Sequence, residues 1–105
     1  MNRKTPYKSD AIIVPESFNI GHGILRLKGL EEEITVEFQG TAYMEMPRFL
    51  NGFEISELNE SERSDLLVRR PELNPDITNF YKIVSGNDSY CIASLSFRVL
   101  DNRTA

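Results

Sequence analysis

The side chains able to do chemistry are few in this sequence, and none falls into a catalytic spacing. The only histidine, His22, stands between Gly21 and Gly23. A metal centre draws several His, Cys or carboxylate ligands at fixed intervals, and there is no second histidine to join it. Serine and aspartate are plentiful, but no nucleophile-elbow sequence presents a serine to His22. His22 therefore reads as a polar loop residue. The only cysteine, Cys91, lies in the run CIASLSFRVL, with no adjacent cation to favour a thiolate. It reads as a small buried hydrophobe and has no partner for an intramolecular disulfide. Asn87-Asp88-Ser89 lacks the D-x-D spacing and downstream Glu of a calcium loop, and reads as a turn. No glycine-rich phosphate loop is present. The expectation is a chain with no enzymatic activity, no cofactor and no metal.

What remains are surfaces. Glu31-Glu32-Glu33 forms an acidic tip, and Glu33, Glu37 and Glu45 share the outer face of the strand that follows. Such charges solvate a hairpin and discourage edge-to-edge pairing, and they also offer a docking point for a basic partner. A second acidic group, Glu57, Glu60, Glu62 and Asp65, is diluted by Arg63, Arg69 and Arg70. Met44, Met46, Phe49, Leu50, Phe53 and Ile55 are dense for a connector. They either close the core or form a partner surface, because Met and aromatic side chains are enriched at interfaces. The residues expected to meet a partner are Glu31, Glu32, Phe49, Leu50 and Phe53.

Several elements must position these groups. From Ile34, apolar residues Ile34, Val36, Phe38, Ala42, Met44 and Met46 alternate with polar ones, the period of a long strand buried on one face. Residues 24–28 read as its hairpin partner across a loop at 29–32, which sets Leu25 opposite Val36, Leu27 opposite Ile34 and Lys28 opposite Glu33, with Arg26 diagonal to Glu33 and Glu37. Gly40 falls at an inward position and marks a bulge or bend, as at the corner of a small barrel. Residues 11–14 read as a short strand ended by Pro15, residues 16–23 as either a loop or a second half of that strand after a bulge, and Asn51-Gly52 as a tight turn.

The one helix is expected over 57–70, capped by Asn59 with Glu62, closed by Arg69 and Arg70, and stopped by Pro71. Leu58, Leu66, Leu67 and Val68 give it a thin apolar stripe, so it lies on the surface. Residues 77–85 and 90–100 read as a closing pair of strands around Gly86-Asn87-Asp88. In the last strand Cys91, Ala93, Leu95, Phe97 and Val99 are expected to face the core. The register of this pair is left open, with either Ile83 or Val84 opposite Cys91.

Length and composition bound the whole. A chain of 105 residues, 40% hydrophobic and 27% charged, is one ordinary globular domain. It divides into a flexible tail at 1–9, a domain at 10–101 and a tail at 102–105. With 16 acidic and 12 basic residues the net charge is −4, which argues against generic nucleic-acid binding. The only early apolar run, 11–14, is too short for a signal peptide or a membrane span, so a cytoplasmic location is expected.

The fold class is α+β: a small antiparallel sheet or barrel of about five strands, with the helix between the third and fourth. In element order alone this resembles an OB-like barrel; a curved open sheet with the helix on one face is the alternative. Three functions are in play. A non-catalytic protein-interaction module (adaptor, regulator or assembly component), joined to another protein or to itself, fits the lack of catalytic motifs best. An oligonucleotide-binding barrel would carry aromatics flanked by Lys or Arg on its outer face, where this chain has Glu33, Glu37 and Glu45. A small enzyme using His22 or Cys91 has the least support.

Overall fold

A computed structural model describes residues 5–101; the expected tail at 102–105 and the first four residues of the expected N-terminal tail lie outside the described residues. Eight strands and one helix follow one another: β1 (Tyr7–Asn19), β2 (Ile24–Gly29), β3 (Ile34–Gln39), β4 (Tyr43–Met44), β5 (Leu50–Glu57), α1 (Glu60–Arg69), β6 (Asn79–Ser85), β7 (Asp88–Ser94) and β8 (Ser96–Asp101). All strands join one antiparallel sheet in the order β4-β7-β6-β5-β1-β2-β3-β8. The sheet is open, with β4 and β8 at its edges. This corrects the expectation of about five strands, of an OB-like barrel, and of a helix between the third and fourth strands: α1 follows the fifth.

Three local features account for the extra strands. Of the two readings of residues 16–23, the continuation after a bulge holds: β1 runs past Pro15 to Asn19. Pro15 sits at a register shift against β2, between Pro15 and Ser17, where a residue without an N–H is tolerated. Asn51-Gly52 is no hairpin turn. Gly52, at φ +74°, lies inside β5 opposite the extra residue of a bulge in β1, between Ser9 and Ile12. The dipeptide supplies the left-handed backbone that an Asn-Gly turn would need, but uses it for a bulge. Pairing with β5 also brings Tyr7, Lys8 and Ser9, expected in the tail, into β1.

The expected long strand from Ile34 breaks at Gly40, as anticipated for a bend. Gly40 has φ +63°, and a Cβ there would stand 2.6 Å from the Leu95 side chain. Beyond it the chain passes from β3, near one edge, to β4 at the other. The chain makes the same crossing in reverse at Leu95, between β7 and β8. The two crossings touch: Leu95 N–H donates to the Gln39 carbonyl at 2.9 Å and Ala42 N–H to the Ala93 carbonyl at 2.8 Å. A coiled sheet brings its two ends together at this corner without a closing ladder.

The β2–β3 hairpin has a loop at 30–33 rather than 29–32, so every pair moves by two residues: Leu25 faces Phe38, Leu27 faces Val36 and Lys28 faces Thr35. A two-residue shift keeps each side chain on its face, which is why the alternation could not detect it. Gly29, the last residue of β2, has no room for a side chain: a Cβ there would lie 2.2 Å from the Glu32 carbonyl oxygen. The shift also sets Arg26 directly opposite Glu37, and β8 sets Arg98 on its other side.

The main core is built from Ile13, Leu27, Val36, Phe38, Ile55, Ile83, Ile92 and Phe97, each at most 1% exposed. Phe38, Tyr81 and Phe97 pack ring against ring at centroid distances of 5.2–5.8 Å. A second cluster, Leu66, Leu73, Phe80 and Ala93, lies under α1. The helix is shorter than 57–70, but its start is as read: Glu62 N–H donates to Asn59 Oδ1 and Asn59 N–H to Glu62 Oε1. Only Leu66 of the helix is fully buried, and Val68 is 82% exposed.

Because α1 covers the back of β6 and β7, both rows of β7 are packed. Tyr90 and Ile92 meet the main core, whereas Cys91 and Ala93 meet the helix side. The row expected to run from Cys91 to Val99 on one face thus breaks at Leu95, which is half exposed. Gly86-Asn87 is a two-residue turn, and Lys82 faces Cys91, neither of the partners considered.

Candidate docking face

β1 lies between β2 and β5, and its register fixes a row across three strands: Gly29, Ile13 and Leu50. Ile13 and Leu50 point inward, at 0% and 2% exposed. Alternation therefore turns their neighbours outward. Ile12 and Val14 on β1, Leu30 just past β2 and Phe49 just before β5 line a shallow depression of about 530 Å³, with Arg48 at its margin. Phe49 is 58% and Leu30 60% exposed. The Leu30 N–H donates to the Ile12 carbonyl at 2.8 Å, which pins the start of the acidic loop to the central strand. On the other side of Phe49 a second depression, of about 390 Å³, is bounded by Pro47, Arg48, Asn51, Ser85, Asp88 and Tyr90.

The expected partner residues therefore divide. Phe49 is on this face, and Glu31 and Glu32 are exposed in the loop that Leu30 opens. Leu50 and Phe53, at 2% and 4% exposed, belong to the main core and cannot meet a partner; this is a correction, and its cause is the strand pairing of β5 with β1 and β6. In the sequence the acidic tip and the apolar segment stand apart, separated by the whole of β3 and β4. The structure brings Leu30 and Phe49 into one depression. Ile12, Val14, Leu30 and Arg48 were missed. The sequence did hold one signal: residues 11–14 are apolar on both faces, and a strand with only one buried face leaves the other apolar row outside.

The remaining candidates, His22 and Cys91, stand on separate elements. His22 is exposed in the β1–β2 turn, where its backbone N–H donates to Asn19 Oδ1 at 3.1 Å. No group of three or more metal-ligating side chains exists among the described residues. Cys91 is half-buried, and burial pushes its thiol up from the ordinary value, with Glu45 nearby adding to the effect. The thiol is thus held protonated, which disfavours nucleophilic use. Around it the charges are answered: Lys82 Nζ lies 2.9 Å from Glu62 Oε2, Tyr43 O–H donates to Glu45, and Arg70 lies over the Tyr43 ring.

Among the described residues Glu37 is the one buried carboxylate, 2% exposed. Arg26 Nε donates to its Oε2 and Arg98 Nε to its Oε1, both at 2.7 Å, and a second nitrogen of each guanidinium reaches the same oxygen. Burial alone raises its pKa, but the hydrogen bonds from Arg98 and Arg26 and their positive charge outweigh this and hold the carboxyl below the usual range. A carboxylate with both oxygens occupied has no lone pair directed at a ligand. It ties three strands together.

No helix among the described residues is long and apolar enough to cross a membrane. No protein-family model, curated protein or solved structure matches the chain.

Proposed function

We propose that this chain is a non-catalytic protein-interaction module whose docking face is the outer surface of β1, β2 and β5 around Phe49 and Leu30. One observation carries the reading. Two large apolar side chains from segments nineteen positions apart are placed on either side of β1, each more than half exposed, above the row Ile12–Val14. Leaving them in water forgoes roughly 1.5–3 kcal/mol for each large side chain that burial would return. Contiguous apolar surface of this kind marks interaction sites. The exposed Glu31 and Glu32 on one side and Arg48 on the other supply a polar rim, the usual anatomy of an interface. Catalysis has no comparable support, since the only cysteine is held protonated and the only histidine stands alone in a turn.

A photo-crosslinking side chain in place of Phe49 tests this in the full chain. The expected result is a crosslink to protein, either another chain or a second copy, that is lost when Leu30→Ser removes the facing apolar group. A control crosslinker in place of the equally exposed Ile77, far along the chain, is expected to give a different product or none. Failure of position 49 to crosslink to any protein, or a product indifferent to Leu30→Ser, refutes the assignment.

A further inference from the structure

The arrangement of the face lets a second copy of the chain cover it. β2 and β5 both run antiparallel to β1, and so parallel to each other. Leu30 follows Gly29, whereas Phe49 precedes Leu50, so the two apolar anchors lie in opposite directions along the strands as well as on opposite sides of β1. The charges extend the same diagonal. Glu31 lies beyond Leu30 at one end, and Arg48 beyond Phe49 at the other. Arg48, like Lys8 and Arg63, forms no ion pair with any described residue.

A patch that is apolar at its centre, acidic at one end and basic at the other complements itself. A two-fold axis lying in the face and crossing this diagonal at β1 sets Leu30 of one copy on Phe49 of the other, and Glu31 on Arg48. Each contact is then made twice, as in any isologous interface. We propose that the docking face pairs with a second copy of this chain in this way, forming a homodimer whose β1 strands cross at the axis. The inference rests on the docking reading above and names its partner. Four anchoring side chains and their rims make a small contact, at the low end of the roughly 1,200–2,000 Å² buried by stable complexes. The dimer is therefore weak and exchanging, and its rim charges set its register and salt dependence.

Sedimentation velocity on the purified full chain, from about 5 μM to 1 mM, is the test. The expected result is a monomer–dimer equilibrium within this range that shifts to monomer with Phe49→Ser or Leu30→Ser. Arg48→Glu and Glu31→Arg are each expected to weaken association about tenfold by setting like charges face to face, and together to restore it to within about threefold of the parent. The variants are all at exposed positions, and circular dichroism confirms that they fold. A parent that stays monomeric throughout, or a double charge reversal no better than either single one, overturns the pairing. If the parent is monomeric but position 49 still crosslinks to a different protein in a Leu30-dependent way, the docking face stands and self-pairing falls. If neither occurs, both fall.

Discussion

Glu37→Gln is the most informative single change to the fold. The substitution keeps the shape of the side chain but replaces one carboxylate oxygen by an amide NH2. Whichever way the amide turns, a donor then faces the donors of Arg26 or Arg98, which lie 2.6–2.7 Å from the two oxygens. Removing one partner of a fully buried ion pair costs about 3–5 kcal/mol. Here only the carboxylate is enclosed: its side chain is 3% exposed, whereas Arg26 and Arg98 are 42% and 35% exposed and stay hydrated when the pair is lost. The expected loss is therefore about 2–3 kcal/mol. In urea unfolding this appears as a lower midpoint with an unchanged slope, and in thermal melting as a drop of about 10–20 °C for a chain of this size.

The pH dependence follows from the depressed Glu37 carboxyl. A carboxyl whose folded pKa lies below its unfolded value of about 4.5 adds stability that is complete above 4.5 and disappears as pH falls through the lower, folded value. The gap between parent and variant is expected to be full at pH 7 and to narrow below about pH 4. A loss under about 0.5 kcal/mol at pH 7, or a gap that stays constant down to pH 3, would refute this account of the three-strand tie.

Other outcomes are expected from the same structure. Gly40→Ala forces a side chain into φ +63° and against Leu95, and is expected to cost about 2–4 kcal/mol in urea unfolding, with part of the loss recovered by adding Leu95→Ala. Asn59→Ala removes the acceptor for the Glu62 N–H and is expected to cost about 1 kcal/mol, with faster amide exchange confined to the first turn of α1. Leu66→Ala empties the centre of the second cluster and is expected to cost about 2–5 kcal/mol while leaving the proposed dimerisation unaltered, since none of the residues of the proposed docking face belongs to that cluster. Alkylation of Cys91 is expected to be slow at pH 8 and to rise only above the ordinary thiol range; rapid labelling at neutral pH would contradict a thiol raised by burial.

Elements governed by neighbours in sequence were legible without coordinates. The capping pair Asn59 and Glu62, the basic end of α1, the bend at Gly40 and the inward row Leu25, Leu27, Ile34, Val36 and Phe38 all follow from local rules of caps, glycine and alternation. The turn read at Asn51-Gly52 failed for an equally local reason. A positive φ is what the dipeptide favours, and both a tight turn and a bulge opposite β1 satisfy it. The β2–β3 register failed because a shift of two residues leaves every face unchanged.

What the sequence by itself determined is which side chains avoid water and where the chain must bend, because these depend on side-chain chemistry and backbone sterics within a few residues. Which strands become neighbours was decided only in the tertiary structure. Placing β1 between β2 and β5 buried Leu50 and Phe53 and left Phe49 outside. It also carried Leu30 to the far side of β1 from Phe49, and the coiling of the sheet brought Gly40 against Leu95. These are contacts between distant segments, selected by the joint packing of one core, and no local pattern encodes them. The proposed docking face is of the second kind: its residues are ordinary where they stand in the chain, and become a surface only when β1 runs between them.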